Sequence, residues 1–181
     1  MAIQKIEVEV EGMSALIMHK FPLVPIEALE KRPPQEQAEL AAYRHPDTGE
    51  LYVPGENIQR ALVSGATYSK GKGRASLQRT VAACLIVSPE RVSLNKKEFE
   101  VDSRPVVVPA TRGRVLRHRP RIENWRLRFF LEFEDTLLTS KQVREVVDNT
   151  GKLVGLLEYR PEKKGPFGRF MVTEWKNGSK N

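Results

Sequence analysis

Arginine is concentrated between residues 112 and 128. This segment contains seven arginines, one histidine, no lysine and a single acid, Glu123. Arginine grips phosphate with a planar, bidentate fork and also stacks on bases, whereas lysine offers a point charge. In an extended segment alternate residues share a face, so the row predicts a phosphate-binding surface. A charged, solubilising edge strand is the alternative interpretation. The predicted binding residues here are Arg112, Arg114, Arg117, His118, Arg119 and Arg121.

Two further basic segments contain glycine, at residues 69–79 and 160–169. The first is expected to be a flexible loop that follows a phosphate chain. In the second, glycines could bring backbone N–H groups close to phosphate. A solvated loop is the alternative for both. Three aromatic residues in or beside these segments, Tyr68, Tyr159 and Phe167, could stack on bases, although core packing explains each singly. The predicted binding residues are Lys70, Lys72, Arg74 and Arg79, and then Arg160, Lys163, Lys164 and Arg169.

Motifs for catalysis or metal binding are missing from this sequence. It has no HExxH, no Walker loop, no zinc spacing and no recognisable Ser/His/Asp set. We therefore predict a protein without catalytic residues, metal or cofactor. The histidines, His19, His45 and His118, could each act as the acid or base of a ribonuclease, but a lone histidine is more often structural. Cys84 stands in an apolar run and is expected to be a small core residue.

The net charge of the chain is +7 over 181 residues, and the hydrophobic fraction is 40%. A basic protein concentrates polyanions around itself, and this length suits one domain. No apolar run approaches the roughly 18 residues of a transmembrane helix, and the N-terminus does not resemble a signal peptide. We expect a soluble, cytoplasmic protein with one domain over residues 1–175 and a frayed tail over 176–181.

Hydrophobic periodicity predicts the elements that must position these cations. Residues 3–11 and 125–134 alternate between apolar and charged, as half-buried strands do. Between them a proline-rich insertion spans residues 19–46. The other predicted elements are strands at 51–53, 81–87, 92–94, 99–108 and 169–175, a helix from about Ile58, and a helix capped by Thr139 and Gln142. The resulting frame is an α+β, ferredoxin-like or RRM-like β-α-β-β-α-β core, with extra strands and an insertion after the first strand.

Two segments of the sequence resemble the RAMP superfamily, whose members build CRISPR ribonucleoprotein complexes. Residues 47–62, DTGELYVPGENIQRAL, are similar to its turn, short strand, Pro-Gly step and polar helix start. Residues 155–170, with the run GPFGR, resemble its glycine-rich loop before the last strand. The resemblance covers both ends of the domain, while the middle matches only in being β-rich and basic. It is closest to the backbone subunits that polymerise along a guide RNA, and short proteins of phages and mobile elements look similar.

This resemblance implies an RRM-like core, RNA held by its phosphates, a homo-oligomer or filament with other ribonucleoprotein subunits, and a role in antiviral defence. The sequence departs from the family in lacking a Gly-Gly pair after the first strand. Neither the aspartate that cuts target RNA in some backbone subunits nor the histidine of guide-processing nucleases is assigned, and Asp47 is interpreted as a turn residue. The resemblance therefore favours binding over cutting.

Four functional hypotheses remain open at this point. The first is a non-catalytic subunit that binds single-stranded RNA and oligomerises along it. The second is a phage protein that binds or anneals single-stranded DNA. The third is a metal-independent endoribonuclease of RAMP type. The fourth is a protein-interaction module that mimics a CRISPR subunit and binds no nucleic acid.

Overall fold

The structure is a computed structural model that describes residues 2–71 and 73–178. Its strands are β1 (Ile3–Gly12), β2 (Leu16–Ile17), β3 (Tyr52–Pro54), β4 (Ile86–Ser88), β5 (Arg91–Ser93), β6 (Glu100–Val107), β7 (Arg114–Ile122), β8 (Arg126–Glu134) and β9 (Phe170–Asn177). Its α-helices are α1 (Ile26–Glu30), α2 (Pro34–Leu40), α3 (Gly55–Gly65), α4 (Gln78–Cys84) and α5 (Ser140–Asn149). None of the helices in these residues is long and apolar enough to cross a membrane.

A four-stranded antiparallel sheet in the order β4-β8-β1-β9 forms the centre of the fold. The alternation in the sequence explains its two faces, because Val8 and Val10 of β1 and Phe129 of β8 are buried, whereas their neighbours face outward. Buried residues of α3 and α5 join the same core. The order and the two helical crossovers confirm the ferredoxin-like β-α-β-β-α-β prediction.

The predicted strand at residues 81–87 is wrong. The structure forms α4 up to Cys84 and only then the short strand β4. Leu77, Val81 and Leu85 are buried at a spacing of four residues, and the alanines between them are exposed. The apolar run therefore has a helical period hidden by alanine, a strong helix former that tolerates exposure. Cys84 is partly buried against the core, as expected of a small apolar residue.

The last helix begins as predicted. The Thr139 side chain accepts a hydrogen bond from the Gln142 backbone N–H, and the Gln142 side chain accepts one from the backbone of Thr139, which completes a capping box. After this helix, β9 extends to Asn177, and the Gly178 N–H donates to the Lys5 carbonyl at 2.8 Å. Strand pairing thus continues beyond the predicted end at residue 175, and residues 179–181 lie outside the described part.

A second sheet, in the order β2-β7-β6, carries the arginine-rich segment. β7 pairs with β6 along its length and with β2 at its C-terminal end. The 19–46 insertion contains α1 and α2, and α2 lies against β7 and β6. The insertion packs against the rest of the protein through its buried residues Ala38, Ala41 and Ala42, although it is rich in charged residues. The insertion thereby becomes one wall of the site described below.

Candidate nucleic-acid interface

The β6–β7 pairing places cations from two strands on one face. Arg117 lies opposite Arg104, and Arg119 lies opposite Asp102. Residues directly opposite each other in an antiparallel pair share a face of the sheet. This face therefore carries Arg117, Arg119 and Arg121 of the predicted row together with Arg104, which the sequence analysis did not identify.

Two aromatic side chains lie between these guanidinium groups. The Arg104 guanidinium carbon is 5.0 Å from the ring centroid of Tyr159 and 4.9 Å from that of Phe167. Arg119 is 5.4 Å from the Tyr159 ring, and Arg121 is 5.3 Å from the Phe167 ring. All four distances are within the range of a cation–π interaction. We call these five residues the arginine–aromatic array.

A buried carboxylate holds the array in place. Both oxygens of Asp102 accept hydrogen bonds from Arg104, each at 2.5 Å, and Arg121 is 3.9 Å away. These hydrogen bonds raise the pKa of the Arg104 guanidinium. Arg121 also pairs with the exposed Glu123 at 2.5 Å. Because each guanidinium already has a carboxylate or an aromatic ring beside it, their planes are fixed before any ligand arrives.

The predicted arginines are not equivalent in the structure. Arg119 is only 8% exposed and donates from Nε to His19 Nδ1 at 3.0 Å. Arg117 lies 3.8 Å from Glu30 of α1. Arg112 and Arg114 are exposed at the tip of the β6–β7 hairpin, and within the described residues their side chains have no acidic partner. Among the arginines of β7 and its hairpin, these two are the most available to a phosphate.

His118 faces away from this array. Its Nδ1 is 2.7 Å from Ser103 Oγ, its Cα partner on β6. His45 also has a structural contact, because its Nδ1 accepts a hydrogen bond from the Asp47 backbone N–H at 3.2 Å. His19 is the histidine that adjoins the array.

The glycine-rich segment 155–168 is closely packed, contrary to the expected phosphate cradle. A Cβ on Gly165 would lie 1.9 Å from the Tyr159 carbonyl oxygen, and one on Gly168 would lie 2.1 Å from that of Leu156. The Gly165, Phe167 and Gly168 N–H groups all donate to protein carbonyls. Backbone donors are therefore not free for phosphate, and the glycines instead let the loop fold tightly enough to seat Tyr159 and Phe167 against β6 and β7.

The basic residues of this loop lie around its rim. Arg160 donates to the Glu162 carboxylate at 2.7 Å and to the Leu157 carbonyl at 2.7 Å. Lys163 and Lys164 are exposed, and so is Arg169 just before β9. Arg160 is thus oriented by its neighbours, while the lysines remain open to solvent.

Residues 69–79 lie in another part of the protein. Asn149 of α5 donates to Ser69 Oγ at 3.0 Å, and this segment lines a cavity of about 520 Å³ with residues 135–142. Lys70, Arg74 and Arg79 are exposed there. Lys72 lies outside the described residues. None of the described contacts joins these cations to the array.

A cavity of about 240 Å³ adjoins the array, between α3 and the 155–168 loop. Polar side chains dominate its lining, including His19, Tyr43, Asn57, Arg60, Glu158 and Arg160. Burial lowers the pKa of His19, and the positive charge of Arg119 lowers it further. Burial also raises the pKa of Tyr43. Both groups are therefore neutral near pH 7, and the cavity presents hydrogen-bond donors beside two arginines.

Sequence reasoning missed Arg104, Asp102 and most of the cavity lining. Alternation along the strand predicted at 99–108 does put Asp102 and Arg104 on one face. The sequence does not show that this strand pairs with the arginine-rich one, so it does not place Arg104 beside the other arginines. Among the described residues, no group of three or more His, Cys, Asp and Glu side chains is placed to hold a metal ion.

Comparison with known proteins supports the fold rather than a family. No family model matches the sequence, and no curated protein matches it. Among solved structures, the chain is similar to a chain of Type III-B Cmr-beta bound to cognate target RNA, with a TM-score of 0.61 and 10% identity. The alignment covers 97% of this chain and 61% of that one. The likeness therefore shows a shared fold.

Proposed function

We propose that this protein is a non-catalytic subunit that binds single-stranded RNA through its phosphates and oligomerises along the strand in a CRISPR-type ribonucleoprotein. The observation that carries the proposal is the arginine–aromatic array, in which Arg104, Arg119 and Arg121 alternate with Tyr159 and Phe167 on one face. Guanidinium groups that rings and carboxylates hold side by side on one face can contact the phosphates of a single strand.

The exposed cations extend this surface on both sides of the array. Arg112 and Arg114 lie at the hairpin tip, and Lys163 and Lys164 lie on the loop rim. In the proposal the phosphate chain crosses from the hairpin to the loop over the array. The fold it shares with a chain of an RNA-bound Cmr complex supports this at the level of analogy.

The state of His19 supports binding over cutting. Its Nδ1 accepts a hydrogen bond from Arg119, and its pKa is lowered by burial, so its neutral form carries the proton on Nε2. A general base needs a free lone pair directed at the substrate. His19 instead offers a donor, which suits contact with a phosphate or a hydroxyl oxygen.

Fluorescence anisotropy with matched single-stranded RNA and DNA across a salt series tests the proposal, with light scattering on the same samples. We expect salt-dependent binding that favours RNA, with particle mass increasing as the strand lengthens. Equal or tighter binding of DNA would favour a phage-type single-strand DNA-binding or annealing protein. No binding at low salt would contradict both functions and favour a protein-interaction module.

An endoribonuclease is the enzymatic alternative, because His19 shares the cavity with Tyr43 and Arg160. Incubation with end-labelled RNA in the presence of a chelator tests it directly. We expect no product above the level of the His19→Asn variant. A product that disappears in that variant would show that the cavity cuts RNA.

A further inference from the structure

Glu158 is an unusual residue for a cavity that faces a phosphate-binding surface. Its carboxylate lines the same cavity as Arg60 and Arg160. Each arginine pairs with another acid, Arg60 with Glu56 at 2.6 Å and Arg160 with Glu162 at 2.7 Å. Within the described residues the Glu158 carboxylate has no salt bridge and no side-chain hydrogen bond. The Glu158 charge acts on His19 and Tyr43 in the same cavity. A negative charge in this position repels phosphate and favours a ligand that donates a hydrogen bond.

The backbone holds Glu158 in this position. Its N–H donates to the Ile17 carbonyl at 3.1 Å, which ties it to β2. The residues on either side, Leu157 and Tyr159, adopt the left-handed conformation with φ of 59° and 50°. A non-glycine residue keeps such a conformation only where the surroundings enforce it. In this loop Glu158 lines the cavity while its neighbour Tyr159 joins the array.

The size and the charges of the cavity restrict what it accepts. At about 240 Å³ it is smaller than the roughly 300 Å³ at which pockets for drug-sized ligands begin. It therefore has room for one group of a nucleotide rather than for a stacked chain. An ionised carboxylate is an acceptor only, so the group it favours carries a donor. In a strand whose phosphates lie along the array, the sugar is the part nearest to a cavity beside them.

We propose that Glu158 makes this site select RNA over DNA by accepting a hydrogen bond from the ribose 2′-hydroxyl of a nucleotide whose sugar enters the cavity. The 2′-hydroxyl is the group by which a protein distinguishes the two nucleic acids. A site built to hydrogen-bond a hydroxyl rejects an analogue without one, because its polar group is then left unpaired. The proposal rests on the single-strand RNA binding proposed above and names the residue that reads the sugar.

The test uses the full chain and three labelled strands of the same length and base: oligouridine, 2′-fluoro-oligouridine and oligodeoxyuridine. Fluorine at the 2′ position keeps an RNA-like sugar but cannot donate a hydrogen bond. We expect the unmodified protein to bind oligouridine about tenfold or more tighter than the other two strands, the effect of one hydrogen bond to a charged group. Glu158→Ala should bind all three strands within about twofold of one another.

Two further variants keep this test decisive. Glu158→Gln has nearly the same shape and retains an acceptor oxygen, so it should keep part of the preference. Glu145→Ala removes one negative charge from an exposed position on α5 outside the cavity, so it should keep the whole preference. Matching thermal unfolding midpoints would show that the variants are folded.

Several results would overturn the proposal. Equal binding of oligouridine and the fluorinated strand by the unmodified protein would contradict it, and so would a full preference retained by Glu158→Ala. An equal gain in affinity for all three strands in Glu158→Ala would mean that Glu158 only repels phosphate. A preference that changes with the base but not with the sugar would assign Glu158 to a base edge. In these cases RNA binding itself persists, whereas no binding of any strand by the unmodified protein would contradict the proposed function as well.

Discussion

Replacing Asp102 by asparagine tests how the arginine–aromatic array is held together. The side chain of Asp102 is 8% exposed and that of Arg104, its partner through two hydrogen bonds, is 29% exposed. Asparagine has nearly the same volume but loses the charge, and its amide N–H₂ cannot accept a hydrogen bond. One contact to Arg104 is lost, and three other arginines on the same face, Arg117, Arg119 and Arg121, lose the nearby negative charge.

The expected cost follows from the burial of the pair. Removing one partner of a fully buried ion pair costs roughly 3–5 kcal/mol, because the other charge is left without compensation. Arg104 can still reach water, which screens part of its charge. We therefore expect Asp102→Asn to lower the free energy of unfolding by about 2 kcal/mol, which corresponds to about 4–8 °C in the melting temperature of a chain of this size.

Urea denaturation of both proteins, followed by tryptophan fluorescence, measures this difference. Glu123→Gln is the matched control, because Glu123 also pairs with an arginine of the array but is exposed, and such pairs contribute about 0–1 kcal/mol. Single-stranded RNA should stabilise Asp102→Asn more than the unmodified protein, since a phosphate can replace the missing anion. A loss below about 0.5 kcal/mol in Asp102→Asn would refute the view that this carboxylate organises the array.

Three further predictions separate the roles of individual residues. Arg114→Ala should leave stability unchanged and reduce the salt slope of RNA binding by roughly 0.7, whereas Arg119→Ala, which empties a buried position, should also lower the melting temperature; salt titrations and thermal scans measure both. Phe167→Leu should weaken RNA binding by about 0.5–1 kcal/mol with the salt slope unchanged, because it removes the ring that positions Arg104 and Arg121 but removes no charge; the same salt titrations measure it. The pKa of His19 is lowered in the folded protein, so below the ordinary histidine pKa of 6.5 the unfolded chain binds more protons than the folded one. The free energy of unfolding should therefore rise with pH up to about 6.5. Denaturation curves between about pH 5 and 7.5 should show a smaller rise for His19→Asn.

The central sheet could be predicted from the sequence because its physical cause is local. Strict alternation in β1 and β8 has one explanation, a strand with one buried face, and the capping box at Thr139 is a local motif too. The strand predicted at residues 81–87 is wrong because a short apolar run is compatible with either a strand period or a helix period. Only the packing of Leu77, Val81 and Leu85 on the core decides in favour of the helix.

The site could be predicted only in part, because it is made by contacts between distant segments. The arginine row was visible, but Arg104 joins it through the pairing of β6 with β7, and Tyr159 and Phe167 join it through a loop about forty residues further along the chain. The glycines of that loop look like signs of flexibility in the sequence. In the structure they are required by close contacts with neighbouring carbonyl groups.

The outer face of the central sheet shows why the binding surface is expected on the second sheet. RRM domains stack bases on aromatic residues of their four-stranded sheet. Here that face carries Arg128 between Glu7 and Glu9, at 2.7 and 2.6 Å, with Glu174 also in contact at 3.3 Å. Phe130, an aromatic residue on this face, lies beneath the Lys5 ammonium group at 4.8 Å. Because three acids already surround Arg128, a phosphate chain gains little there, whereas Arg112 and Arg114 of the β6–β7 hairpin have no acidic partner to displace among the described residues.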